Sequence, residues 1–237
     1  MLSLFSYIAP PSRCGYLPQQ QWSLEYECVE EMTPAEYEAR MQAGWRRFGR
    51  MLFHPRCSAC RSCRSLRVLA GRFTPDRSQR RAWKANTDVE VRIGPPSVSR
   101  AKLGLYDRFH AYRAQTRGWP LHPAKDADSY VDSFVNNPFP ILEWCYYLDR
   151  RLIAVGYSDL LPQSLSAIYC FYEPDLSHRS LGTYNVLRLL NYAREHDLPY
   201  VYLGYYVEGC QSMAYKPRFQ PNQILDETGH WKDFLSR

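Results

Sequence analysis

The sequence predicts an α+β protein, and three observations predict it. Three successive runs rich in aromatic and β-branched residues fill positions 141–172, "ILEWCYYLDRRLIAVGYSDLLPQSLSAIYCFY", separated by turn signals. "RSLGTYNVLRLLNYAREHD" then carries its leucines at helical spacing, and "LPYVYLGYY" returns to a strand pattern. Ahead of these elements the composition changes, with cysteines at three-residue steps inside a run of arginines.

Each element has a local reason. "MTPAEYEARMQAGWRRFGR" opens on Thr33 as N-cap, with Pro34 at the first helical position and Glu36 completing a capping box. Tyr37, Met41, Trp45 and Phe48 fall on one helical face, so a helix reaching Phe48 is expected, with Arg40 and Arg47 on its basic side. "SLRVLAGRF" alternates as a strand, and "TPDRSQRRAWKANTD" reads as a polar, basic connector. Gly94, Pro95 and Pro96 interrupt regular structure and divide the chain into an amino-terminal domain, 1–95, and a larger domain, 96–237. Leu103, Tyr106, Phe109 and Tyr112 mark a helix that ends before Gly118, and "DADSYVDSFVNNP" a second, short one. A tight turn is expected at Asp149-Arg150 and a break at Pro162. Leu187 and Leu190 face inward from the last helix. Antiparallel strands, one helix and a further strand is the core order of GNAT-type acyltransferases, and also of a generic α+β domain.

With 237 residues, 45% hydrophobic and 15% aromatic, including 19 tyrosines, the chain has ample material for a packed core. No secretion signal and no run of membrane-spanning length is visible. Eight cysteines are too few for a disulfide scaffold of this size, which points to a reducing, cytoplasmic setting. A monomer without membrane attachment is expected. Cys28, Cys145, Cys170 and Cys210 lie among apolar neighbours as free thiols. The net charge of +6 matters less than its distribution. From Arg40 to Arg81 there are twelve arginines, no lysine and one acid, Asp76, a pattern that suits a polyanion such as RNA.

"FHPRCSACRSCRSLRV" places Cys57, Cys60 and Cys63 with two residues between each and the next, a spacing that aims thiolates at one ion. Cys14, in "RCGYLP", completes a set of four, with Cys28 and His54 as substitutes; zinc and an iron–sulfur cluster both remain open. Neighbouring arginines are expected to lower the thiol pKa values. "SQRR" (Ser78 to Arg81) and "YKPRF" (Tyr215, Lys216, Pro217, Arg218, Phe219) mix cations with hydroxyl or aromatic groups, as phosphate and base contacts require; Arg46, Arg47, Arg80, Arg81, Tyr215, Lys216 and Arg218 are the candidate substrate-binding residues. Asp159, Tyr172, Glu173 and Asp175 are the groups best placed to orient an amine, and as loop or turn residues they equally serve as caps. Arg179-x-x-Gly182 occupies the place of a pyrophosphate loop, but Tyr184 stands where glycine or alanine belongs, and a helix N-cap at Ser180 is as good a reading.

Taken in order, "CGYLP", "WRRFGR", "FHPRCSACRSCRSLRV", "SQRR", "LSAIYCFYEPD", "RSLG" and "LPYVYLGYYVEGCQSMAYKPRF" resemble the arginyl-tRNA–protein transferase family, most closely its short bacterial aspartate/glutamate leucyltransferase branch. The resemblance spans Cys14 to Phe219. It implies transfer of leucine from leucyl-tRNA to the N-terminal α-amine of proteins beginning with Asp or Glu, which marks them for N-end rule degradation. It also implies a cysteine-bearing domain packed on a GNAT-like domain that uses no acetyl-CoA. An arginine is expected to receive the acceptor's acidic side chain, with Arg80 first; Arg47, Lys216 and Arg218 are the next candidates. Arginyl transfer, an acetyl-CoA-dependent N-acetyltransferase and a non-catalytic metal-knuckle RNA-binding module are the alternatives.

Overall fold

The computed structural model describes residues 1–121 and 123–234. In chain order the strands are β1 Leu2–Ile8, β2 Ser12–Arg13, β3 Gln21–Trp22, β4 Leu24–Glu31, β5 Arg46–Phe48, β6 Met51–Pro55, β7 Arg64–Leu69, β8 Glu90–Gly94, β9 Ile141–Leu148, β10 Arg151–Leu161, β11 Ser164–Tyr172, β12 Tyr200–Tyr206, β13 Asn222–Leu225 and β14 Trp231–Asp233. The α-helices are α1 Pro34–Gln42, α2 Arg77–Lys84, α3 Arg100–Arg117, α4 Ala127–Tyr130 and α5 Leu181–Glu195.

These elements make a mixed α/β fold around two main sheets. The smaller is antiparallel with order β1-β4-β6-β5; the larger has order β14-β13-β7-β12-β11-β10-β9-β8. Strands β7 and β8 belong to the larger sheet, so it draws strands from both sides of residue 95. Within it only β11 and β12 run parallel, because α5 carries the chain back between them. That parallel pair meets at three rungs, Ser164↔Tyr200 to Ser166↔Tyr202.

The larger sheet is buried on both faces, and alternation along its strands sorts the side chains. Val201 and Leu203 join Leu187 and Leu190 of α5, while Tyr202 between them faces a cluster with Tyr37 and Met41 of α1 and Phe109 of α3. Gly156 allows α5 to approach: a Cβ there would lie 2.2 Å from Asn185 Oδ1, which accepts a hydrogen bond from Tyr146 Oη at 2.8 Å. The β9–β10 hairpin turns on Asp149 and Arg150, both at positive φ, in keeping with the right-handed twist of the pair.

Three expectations are corrected. The helix opening at Thr33 has the expected capping box but stops at Gln42. Gly44, at φ +95°, closes it, and Arg46–Phe48 pairs with β6, so Trp45, Arg47 and Phe48 lie off the helix. The connector 74–88 contains α2, capped by Asp76 and Gln79 in a capping box. Ser180 does hold the N-cap position of α5, but in a left-handed conformation, and its side chain makes no capping hydrogen bond.

Candidate functional site

Helix α1 ends on a glycine, and that places two arginines side by side on the short strand β5. Adjacent strand residues point to opposite sides, so Arg46 and Arg47 meet different partners. Arg47 reaches across to β10, where its Nη2 donates to Asp159 Oδ1 in a short ion pair between two fully buried side chains. Its Nη1 also donates to Gly49 O and Asn137 Oδ1, both at 2.7 Å. Burial pushes the Asp159 carboxyl above its ordinary range, against the pull of Arg47 and Arg46.

Arg46 has no such partner. Its Nη1 donates to the main-chain oxygens of Met41 (3.2 Å) and Trp45 (2.6 Å), and its guanidinium lies 5.5 Å from the ring centres of Tyr202 and Tyr205. Its Nε and Nη2 are buried without a hydrogen-bond partner. Lys216 stands nearby in the second of two short turns that follow β12, and donates to Tyr205 O at 2.5 Å. Burial, reinforced by Arg46, pushes its ammonium down to about 7.

A cavity of about 470 Å³ borders Tyr205, and Gly44, His54, Cys57, Cys63 and Ser65 are among the residues that line it; Arg46 and Lys216 are not. His54 Nδ1 and Ser65 Oγ are buried with no partner. Burial, then Arg56, lowers the His54 pKa. The sequence offered His54 only as a substitute metal ligand and gave no signal for Ser65; its position opposite Tyr205 in the β7–β12 register is what brings it here.

The remaining predicted residues fall into two other places. Tyr172 and Glu173 lie at the far end of β11. Asp159 pairs with Ser166 and Tyr172 with Ala154, so six residues of strand, roughly 20 Å, separate Asp159 from Tyr172. Glu173 is buried and accepts from Arg108 (2.9 Å) and Arg151 (2.8 Å). Burial raises its pKa, but the two arginines outweigh that and hold the carboxyl below its usual value. Tyr172 Oη accepts from Arg113 Nη2 at 3.2 Å, and Asp175 is exposed. Elsewhere the two basic motifs become one surface: Arg218 donates to Ser78 Oγ (2.6 Å) and Asp76 Oδ2 (3.2 Å), and Gln79 Nε2 donates to Arg218 O (3.0 Å). Arg80 and Arg81 are exposed on α2, where Arg80 donates to Pro75 O, and Tyr215 is exposed beside them in sequence to Lys216.

Cys14, Cys57, Cys60 and Cys63 gather with Cys210 as electrostatic neighbours. Cys14 Sγ accepts the main-chain N–H groups of Tyr16 and Leu17 at 3.4 Å, donors that suit a thiolate. The thiol chemistry therefore fits a thiophilic metal, although among the described residues no three Cys, His, Asp or Glu stand in ligating geometry. The arginines do not depress Cys63; burial and then the neighbouring sulfurs push it up to about 12. Arg61 instead donates to the main-chain oxygens of Cys57 and Cys60.

Comparison with known proteins gives a consistent picture. Residues 12–81 match the family profile described as arginine-tRNA-protein transferase, N terminus, and residues 101–226 the profile for the C terminus. The chain is 35% identical over 219 residues to the aspartate/glutamate leucyltransferase of Campylobacter jejuni strain 81-176, covering 91% of this chain and 90% of that one. Enzymes of the same name from Pseudomonas fluorescens Pf0-1 (36% identity; 92% of each chain) and Marinobacter nauticus (32%; 98% of this chain and 96% of that one) align similarly. The DUF2156 C-terminal domain of an Agrobacterium fabrum protein aligns at TM-score 0.45 and 13% identity over 61% of this chain and 46% of that chain, a likeness too loose to assign a fold.

Proposed function

The chain belongs to the arginine-tRNA-protein transferase family, and from that premise we propose the reaction, the substrates and the parts that serve each. It is an aminoacyltransferase that moves leucine from leucyl-tRNA to the N-terminal α-amine of proteins beginning with Asp or Glu, and so marks them for N-end rule degradation. The observation that carries this is the match over more than nine-tenths of the chain to enzymes named aspartate/glutamate leucyltransferase.

The chemistry asks little of an acid–base pair. The ester of an aminoacyl-tRNA is already activated, and an N-terminal amine has a pKa of about 8. The amine nitrogen attacks the ester carbonyl, a C–N bond forms as the C–O bond to the terminal ribose breaks, and the amine's proton ends on the departing hydroxyl. Holding amine and ester in line supplies most of the acceleration. Asp159 then serves to fix Arg47 at the junction of the two sheets. Glu173, clamped by Arg108 and Arg151, and Tyr172 and Asp175 beside it belong to a separate face.

A GNAT-like reading of the larger sheet is supported by β11 and β12, a parallel pair that meets at three rungs and then parts. Use of leucyl-tRNA rather than acetyl-CoA is supported at the start of α5. Tyr184 is buried there between Trp83 and Tyr146, with ring centres 5.6 and 5.8 Å away, and Arg179 is tied to Asp88. The exposed cations of α2 and Arg218 suit tRNA phosphates. Cys14, Cys57, Cys60 and Cys63 would hold a structural zinc ion or iron–sulfur cluster, which elemental analysis of anaerobically purified protein tests. No helix among the described residues is long and apolar enough to cross a membrane. The proposed setting is the cytoplasm and the proposed state a monomer.

The test of function is direct. Purified protein is given leucyl- or arginyl-tRNA and peptides beginning with Asp, Glu or Ala. Leucine should appear on the first two peptides only; arginine on them in place of leucine would overturn the donor assignment.

A further inference from the structure

We propose that the cavity between α2 and α5 receives one unpaired nucleotide of the tRNA, its base against Trp83 and Phe73 and its phosphates against Arg80 and Arg194. The proposal rests on the transferase reading above, which supplies the tRNA. It places Arg80 on that tRNA rather than on the acceptor's acidic side chain.

The cavity follows from the pattern of the two helices. Leu187, Leu190, Asn191 and Arg194 recur at helical spacing, so one face of α5 runs from apolar to cationic. Arg80 and Trp83, three positions apart, present a cation beside an apolar surface on α2. Where these faces meet there is a space of about 330 Å³, lined by all six residues together with Phe73 and Pro75. That volume lies at the lower end of small-ligand sites. It has room for a base with its sugar, and a leucyl side chain would leave much of it empty.

The walls select a ligand by its chemistry. Trp83 is half-buried, with Tyr184 edge-on at 5.6 Å and the Arg188 guanidinium 5.6 Å from its ring centre, so the indole is fixed before anything binds. Phe73 is buried and packs on Phe219 with ring centres 6.0 Å apart. Aromatic platforms of this kind accept any base by its face. Arg80 and Arg194 are exposed where they line the cavity, and the carboxylates nearby are engaged elsewhere. Asp76 caps α2 and pairs with Arg218 at 3.2 Å, and Glu195 accepts from Asn191 at 2.6 Å. Among the described residues no acid lines this cavity, in contrast to Asp226 and Glu227 in the cavity beside Tyr205. An aromatic body with an anionic end matches that lining.

Continuity with the basic surface selects tRNA among aromatic anions. Phe219, which backs Phe73, directly follows Arg218, and Arg218 donates to Ser78 Oγ and Asp76 Oδ2 at the start of α2. Arg77, Arg81 and Lys84 add exposed cations along the same helix. A polyanion held on these charges brings its unpaired nucleotides to Trp83, whereas bases inside a duplex keep both faces stacked and cannot enter.

The test uses the full chain and measures binding of uncharged tRNA, leucyl-tRNA, a single-stranded RNA tetranucleotide and a blunt RNA duplex. Trp83→Ala should weaken both tRNAs and the tetranucleotide roughly 5- to 150-fold, the range for losing one base stack. The slope of log affinity for tRNA against log salt should not change, because a base contact releases no counterions. Duplex binding should be unaffected. Trp83→Phe, which keeps a ring, should retain most of the affinity, and Arg194→Ala should instead lower the salt slope for tRNA by about 1. Asn191→Phe, which fills the cavity and leaves Trp83 in place, should match Trp83→Ala, and is read in its stead should that variant fail to fold. Equal weakening of tRNA and duplex, or wild-type affinity for tRNA in both variants, overturns the assignment. A loss confined to leucyl-tRNA also overturns it, and gives the cavity to the leucyl side chain. Leucyl transfer by wild type with tRNA binding indifferent to Trp83 sinks only this inference. Trp83-dependent binding of the tetranucleotide without leucyl transfer sinks only the transferase reading.

Discussion

Two arginine pairs from one basic run meet opposite fates. Arg46-Arg47 on β5 is buried at the junction of the sheets, and Arg80-Arg81 on α2 stands in solvent. In sequence both read as surface cations for a polyanion. The difference lies in what each backbone does. A three-residue strand between a left-handed glycine and β6 is drawn into the core, while an eight-residue helix with a polar exterior lies on top of it. Charge composition therefore describes the amino-terminal region's total, and the fold decides which charges face solvent and which are held inside.

The comparison sharpens most where the buried pair is broken. Arg47→Ala leaves Asp159 without its partner and should cost about 3–5 kcal/mol of stability, whereas exchanging both for well-packed apolar residues, Arg47→Met with Asp159→Leu, should restore most of that. Urea unfolding of the single and double variants measures it; a single-variant loss near that of Arg80→Ala would erase the distinction between the two pairs.

Lys216 gives the next largest effect. Its folded pKa of about 7 lies below the unfolded 10.5, so the unfolded chain binds the extra proton between those values. The penalty for burying the ammonium is then full below about pH 7 and is relieved as pH rises. Wild type should gain roughly 1.5–2 kcal/mol relative to Lys216→Met between about pH 7 and 8.5. A pH-independent difference between the two proteins would mean that the ammonium is not desolvated.

The smallest effect on stability belongs to the exposed pair. Arg80→Ala with Arg81→Ala should change unfolding free energy by no more than ~0.5 kcal/mol, yet lower the slope of log affinity for tRNA against log salt by up to about 2. Filter binding across a salt series reads this, and an unchanged slope would make α2 a solvated face only.

How much of this was legible in the sequence depended on whether the signal was local. The β9–β10 hairpin, the Thr33 capping box and the Gly118 helix stop are set by residues within a few positions, and each stands as expected. Trp45 and Phe48 continue a helical period by coincidence, and the Ala43-Gly44 stop overrides it. Helix α2 was masked by its polarity, although Asp76 and Gln79 spell a capping box. The candidate site was less accessible. Asp159 and Tyr172 look like neighbours in a list of strand ends, but the strand register holds them apart. Arg46 differs from Arg47 only in which side of β5 it faces, and its missing partner is a property of the whole packed junction.

The most direct measurement is mass spectrometry of peptides beginning with Asp, Glu and Asn after incubation with leucyl-tRNA. The protein should add leucine to the Asp and Glu peptides and spare the Asn peptide. Leucine on all three peptides, or on none, would contradict the account.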